Sequence, residues 1–237
     1  MAKARIFLFG AGGVGKTTLL DLFVHKYPGK YSVISEVARA LLEENKISQS
    51  DLQDDGVFWD LQIQIVRRQL NEERRHELAG FDEILPTRHG YILDRCVLDA
   101  LVYASLRFPD RFTLLPQATT EIERAELLIP LTGDIQTSEE VIRRYRRSII
   151  ALVCPFDTNG ASDDGVRLVM NSTELEEYTA RCRLVLEALS IPSVEIAYRR
   201  PSDRLRLLEE ALATISQHPR VNFTSGWKRE KVVTKMD

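Results

Sequence analysis

Five short apolar runs, Ala4–Phe9, Tyr31–Ser35, Tyr91–Asp94, Ser148–Pro155 and Ser193–Tyr198, recur along the chain with little polar alternation. Runs of this kind are what strands look like when helices cover both faces of a parallel sheet. The segments between them carry apolar residues at helical spacing, so the pattern predicts a β-α-β-α order and an α/β fold. The first helix is expected over Lys16–Lys26, ended by Pro28-Gly29, and a second over Glu36–Glu44. A long third helix, from about Asp55 to Leu78, carries two apolar stripes: Phe58, Leu61 and Ile65 on one, and Trp59, Ile63, Val66 and Leu70 on the other. Two stripes predict a helix buried on more than one side. The Glu72-Glu73-Arg74-Arg75 run reads as its solvated end. Between Cys96 and Arg147 the helical pattern is interrupted by Pro109, Pro116 and Pro130, predicting several short helices. Asp157–Gly165 reads as a loop. Asn171 or Thr173 offers a cap to a helix whose core face is Leu175, Tyr178, Cys182, Val185 and Leu189. Pro201–Ile215 completes the series.

The 237 residues carry 44% apolar side chains and a net charge of −3. The first is enough for a sizeable core, and the second gives no pull toward nucleic acid or an anionic membrane. Cys96, Cys154 and Cys182 form no CxxC pair, which suits buried thiols in a reducing compartment. No stretch is long and apolar enough to cross a bilayer, so a cytoplasmic protein is expected. The organisation expected is one domain over 1–218 and a basic tail over 219–237, where Lys228, Arg229, Lys231 and Lys235 form either a loose solvated end or a contact for a partner.

The segment from Gly10 to Thr18 changes the picture most. Gly10-Ala11-Gly12-Gly13-Val14-Gly15-Lys16-Thr17 fits GxxxxGK[ST] at every fixed position, with an apolar strand before it and an amphipathic helix after it. Glycines let successive backbone N–H groups turn toward one anion, and the positive end of the following helix faces the same phosphates. Lys16 is then the cation for the β- and γ-phosphates, and the Thr17 hydroxyl, followed by Thr18, is a ligand for Mg²⁺. The expected cofactors are ATP and Mg²⁺. No [NT]KxD guanine motif is present: Asn45-Lys46-Ile47-Ser48 lacks the acid and comes too early.

Two carboxylates fall at predicted strand ends. Asp94 closes an apolar run in the manner of a Walker B strand, which would put it beside Mg²⁺ with Thr17, although an Asp there can also cap a helix. Glu36 follows the second strand and can accept a proton from an attacking hydroxyl, or simply favour a helix dipole. In an open parallel sheet both would converge with the phosphate loop at the carboxyl ends of the strands.

The GAGGVGKTT loop, the Ser35-Glu36-Val37-Ala38-Arg39 turn, the Gln62–Leu70 helix, Leu93-Asp94-Arg95 and Asp163-Asp164-Gly165-Val166-Arg167 together resemble the NadR-type AAA domain family. That family includes the ribosylnicotinamide kinase domain of the bacterial NAD regulator, and a eukaryotic branch described as GTP- and phosphoinositide-binding trafficking proteins. The resemblance covers roughly Ala4 to Ala213. It implies a three-layer P-loop kinase fold with strand order 2-3-1-4-5 and a lid over 157–167 that turns Arg167 toward the phosphates. Deoxynucleoside kinases are more distantly similar. They imply an acceptor site in which Glu36 is the base, Arg95 accompanies Asp94, and Gln62 faces the acceptor's ring. In that picture Arg39 binds substrate or pairs with Glu36, and the adenine lies near the Arg199-Arg200-Pro201 turn. The 96–147 stretch matches no motif, and nothing resembles the regulator's nucleotidyltransferase or DNA-binding domains. Two functions follow as expectations. One is ATP-dependent phosphorylation of a hydroxyl on a small, nucleoside-like acceptor. The other is a regulatory NTP-binding protein that acts through a protein or lipid partner.

Overall fold

A computed structural model describes residues 4–79, 90–112, 118–155, 170–197 and 199–217. The expected lid with Arg167, and the basic tail, lie outside them. Five strands, β1 (Ala4–Phe9), β2 (Tyr31–Ile34), β3 (Gly90–Asp94), β4 (Ile149–Val153) and β5 (Ser193–Ile196), form one parallel sheet in the order β2-β3-β1-β4-β5. In the central strand Phe7 is opposite Leu93 on one side and Ile150 on the other. Ile6, Phe7, Leu8, Phe9, Ile92, Leu93, Ala151 and Leu152 are wholly buried. Covering both faces is what the unalternating apolar runs required, at about 1.5–3 kcal/mol for each large side chain.

Nine α-helices lie among the described residues: α1 (Lys16–Lys26), α2 (Val37–Asn45), α3 (Asp55–Ala79), α4 (Val97–Arg107), α5 (Glu121–Glu126), α6 (Ile129–Thr132), α7 (Ile135–Tyr145), α8 (Ser172–Ala188) and α9 (Pro201–Gln217). Their starts follow local chemistry. Glu36, expected inside the second helix, is its N-cap. The side chain of Asn171 accepts the Glu174 N–H, and Glu174 reaches back to Asn171, so Asn171 rather than Thr173 caps α8. Pro130 opens α6 instead of breaking it, because the first helical turn has no N–H obligation for proline to violate. The three cysteines are buried thiols.

The end of α3 departs from expectation. Glu73 is not solvated: it is 0% exposed and held by Arg144 of α7 at 2.8 Å, by the Tyr145 hydroxyl at 2.9 Å and by Gln69 at 3.3 Å. Tyr145 in turn accepts the Val97 N–H at 3.0 Å, tying this buried network to the first residue of α4. The second apolar stripe of α3 brings its polar neighbours inside, and the charge there is matched rather than hydrated.

Candidate phosphate and acceptor site

β1 pairs with β3 on one side and β4 on the other, so the loop leaving its carboxyl end sits where ligands gather in open α/β sheets. The loop is bent to fit. Gly10 has φ 138°, and a Cβ there would lie 2.5 Å from the Val153 carbonyl oxygen. Gly15 has φ 90°, and its Cβ would lie 3.1 Å from the Arg204 guanidinium. Only glycine takes both positions without displacing backbone or a buried arginine. The Lys16 ammonium folds back over the loop, donating to the carbonyls of Gly10 at 2.7 Å and Ala11 at 2.5 Å. Burial, with the Arg95 charge adding to it, pushes this amine down to about 8 against the pull of Asp99, Asp94 and Glu36. The Thr17 hydroxyl donates to the Asp94 carboxylate at 2.6 Å. Asp94 is the last residue of β3 and not a helix cap, since the cap of α4 is Cys96.

Arg95, just past β3, has a left-handed backbone (φ 80°), a conformation that is costly for a side chain of this size. Its N–H donates to the Leu8 carbonyl at 3.0 Å. The turn swings the guanidinium onto Glu36, whose carboxylate accepts at 2.6 Å. Both side chains are about seven-eighths buried. Arg95 also packs on Tyr103 at 5.8 Å and would touch any side chain added at Gly12. The Glu36–Arg95 ion pair and the phosphate loop therefore adjoin.

A pocket opens here, enclosing about 820 Å³ with its open mouth. Gly12, Glu36, Arg39 and Arg95 are among its lining residues, with the apolar Leu42, Leu52, Phe58, Leu61 and Ile65. Gln62 reaches it from α3 at 4% exposure, and its Oε1 is buried with no hydrogen-bond partner among the described residues. A carbonyl left unpaired in an apolar wall costs about 1–3 kcal/mol, which a ligand's N–H would relieve. Arg200 is exposed, and its carbonyl accepts the N–H groups of Asp203 and Arg204 at the start of α9.

Sequence reasoning gives Asp99 and Arg204 no role of their own. Asp99, 3% exposed, faces the Gly10 N–H, the Cys96 N–H and Arg95; burial pushes its carboxyl above the usual range while those partners and the Lys16 charge pull it back. Arg204, also 3% exposed, donates to the carbonyls of Val14 and Cys154, clasping the phosphate loop to β4.

Residues 5–204 match the AAA domain family. The chain belongs to this AAA domain family. Its fold is that of P-loop kinases. It is similar to NadR in complex with NR (TM-score 0.57, 17% identity, 88% of this chain and 51% of that one). NadR in complex with NAD and AMP-PNP gives a TM-score of 0.53 at 14% identity, over 88% of this chain and 49% of that one. The chain thus spans about half the length of these NadR chains. Deoxyadenosine kinase from M. mycoides, with the products dCMP and dCDP bound, gives a TM-score of 0.53 at 13% identity and is covered over its full length by 89% of this chain. No curated protein sequence matches the chain. No helix among the described residues is long and apolar enough to cross a membrane.

Proposed function

We propose that this AAA domain protein binds Mg-ATP and transfers its γ-phosphoryl group to a hydroxyl of a small, nucleoside-like acceptor. The observation that carries the reading is the joining of two sites. An apolar pocket with an unpaired buried carboxamide oxygen opens directly beside the phosphate loop, and a carboxylate–guanidinium pair lies at the junction. A switch protein has no use for an acceptor pocket there. The kinase folds to which the chain is similar, one holding AMP-PNP and one holding nucleotide products, support the same reading.

The geometry supports the following roles for the described residues. The later amides of the Gly10–Thr18 loop and the α1 N-terminus cradle the phosphates, and Lys16 exchanges two carbonyl oxygens for phosphate oxygens. Thr17 and Asp94 would hold Mg²⁺. Two oxygen ligands suffice for an ion that keeps several waters and shares the substrate's phosphates, so the lack of any larger acidic or histidine cluster among the described residues is no obstacle. Bound there, the ion would neutralise charge on the β- and γ-phosphates. Glu36 accepts the proton of the attacking hydroxyl, and Arg95 fixes its carboxylate in direction. Gln62 offers its free acceptor to an N–H of the acceptor's ring, and Arg39 lines the same pocket. Arg167, in the proposed lid, and Arg200, proposed beside the base, would complete the nucleotide contacts.

The role of Glu36 is testable by itself. Glu36→Gln keeps the size and the contact with Arg95 but cannot take a proton. Transfer should fall by about 10²–10⁴-fold while Mg-ATP affinity, measured by calorimetry, stays close to wild type. Undiminished transfer by the Gln variant would remove Glu36 from the role of base.

A further inference from the structure

Asp99 has no place in the phosphate-loop motif or in the ion pair, yet the site is built around it. One of its oxygens accepts the Gly10 N–H at 3.3 Å and faces the Tyr178 hydroxyl at 3.4 Å and an Arg95 nitrogen at 3.8 Å. The other accepts the Cys96 N–H at 2.9 Å. Four elements thus meet on one carboxylate: the first residue of the phosphate loop, the cap of α4, the guanidinium that holds Glu36, and α8. The first loop amide is consequently not directed at the ligand. It is spent on an anchor at the start of the loop.

We propose that Asp99 is a positioning residue for nucleotide binding, pinning the start of the phosphate loop to α4 and to Arg95. The carboxylate is chemically specific for this task. Each oxygen faces a different backbone donor, so an asparagine must turn its NH₂ toward either the Gly10 or the Cys96 N–H and leave that donor unpaired. A glutamate is one methylene too long for a fully packed position.

The inference deepens the reading above but rests on its nucleotide-binding half alone. The test is calorimetric Mg-ATP affinity of the full chain, comparing wild type, Asp99→Asn and Leu101→Ala. Leu101 is wholly buried on the same helix and takes no part in the site, so it is a control for destabilisation without loss of the anchor. Asp99→Asn should bind Mg-ATP about 10-fold more weakly, because the loop start released in the free protein must return against one orphaned N–H when nucleotide binds. Leu101→Ala should melt at lower temperature yet keep its affinity within about twofold, because it removes no group that bonds the phosphate loop or lines the pocket. Equal affinity in wild type and Asp99→Asn, or equal loss in Leu101→Ala, overturns the proposal. Failure of wild type itself to bind Mg-ATP would instead defeat the nucleotide reading. Should Asp99→Asn not fold, exchange of the Gly10 amide in the nucleotide-free wild type decides: it should be as slow as the amides of β1, and exchange at the rate of an open loop would refute the anchor.

Discussion

Nucleotide binding should be coupled to proton uptake, and the size of the coupling can be worked from Lys16. In the nucleotide-free protein the amine is buried against two carbonyls with Arg95 near, which holds it at about 8 instead of its ordinary 10.5. At pH 8.5 only about a quarter of the molecules then carry the charge. Phosphate oxygens replacing the carbonyls favour the charged form and restore the pKa to at least the ordinary value, so binding should draw in about 0.75 proton at pH 8.5 but only about 0.1 at pH 7. The assay is calorimetry of Mg-ATP binding in pairs of buffers that differ in ionisation enthalpy. A second consequence concerns stability. The folded value lies below the unfolded one, so the unfolded chain binds more protons between about pH 8 and pH 10.5, and nucleotide-free stability gains a contribution that rises with pH across that window. Saturating Mg-ATP should remove this contribution. Proton uptake that is zero at pH 8.5, or equal at the two pH values, would refute the account of a buried, depressed Lys16.

The other predictions concern the carboxylates and the Thr17 hydroxyl. Glu73→Ala leaves Arg144 with only Glu140 and Glu77, strands the buried Tyr145 hydroxyl and Gln69 amide, and should destabilise the fold by about 3–5 kcal/mol in urea denaturation; a loss below about 1 kcal/mol would return Glu73 to the solvated end that the sequence suggests. Thr17→Ala should lose Mg²⁺-dependent ATP binding while Thr17→Ser keeps it, because the hydroxyl and not the methyl faces Asp94. Titrating Mg²⁺ against each variant at fixed ATP separates the two.

What could be read from the sequence was what is encoded locally. The phosphate loop is contiguous, and its glycines, lysine and threonine fall in the order the backbone needs. The five strands were legible because burial on both faces erases alternation, and their limits slipped by only a residue or two. The carboxyl-end placement of Glu36 and Asp94 followed from parallel topology. Glu73 was misread because Glu72-Glu73-Arg74-Arg75 is the composition of a helix end in water, while its partner lies 71 residues on. The roles of Asp99 and Arg204 were missed for the same reason: an acid in the first turn of α4 looks like ordinary capping, and nothing local ties Arg204 to Val14, 190 residues earlier. Such contacts exist only once the sheet has assembled. Gln62 was placed by resemblance alone; its unpaired oxygen is visible only in three dimensions.

The central claim is that the pocket beside the phosphate loop receives the γ-phosphoryl group's destination. The most direct measurement incubates the full chain with Mg-ATP labelled in the γ-phosphate and a panel of nucleosides, and identifies the labelled product. Label should appear on a hydroxyl of a nucleoside whose ring offers an N–H to Gln62, in amounts that depend on Glu36. Label recovered solely as inorganic phosphate, at a rate no panel member changes, would contradict the kinase reading and leave a nucleotide-hydrolysing regulator in its place.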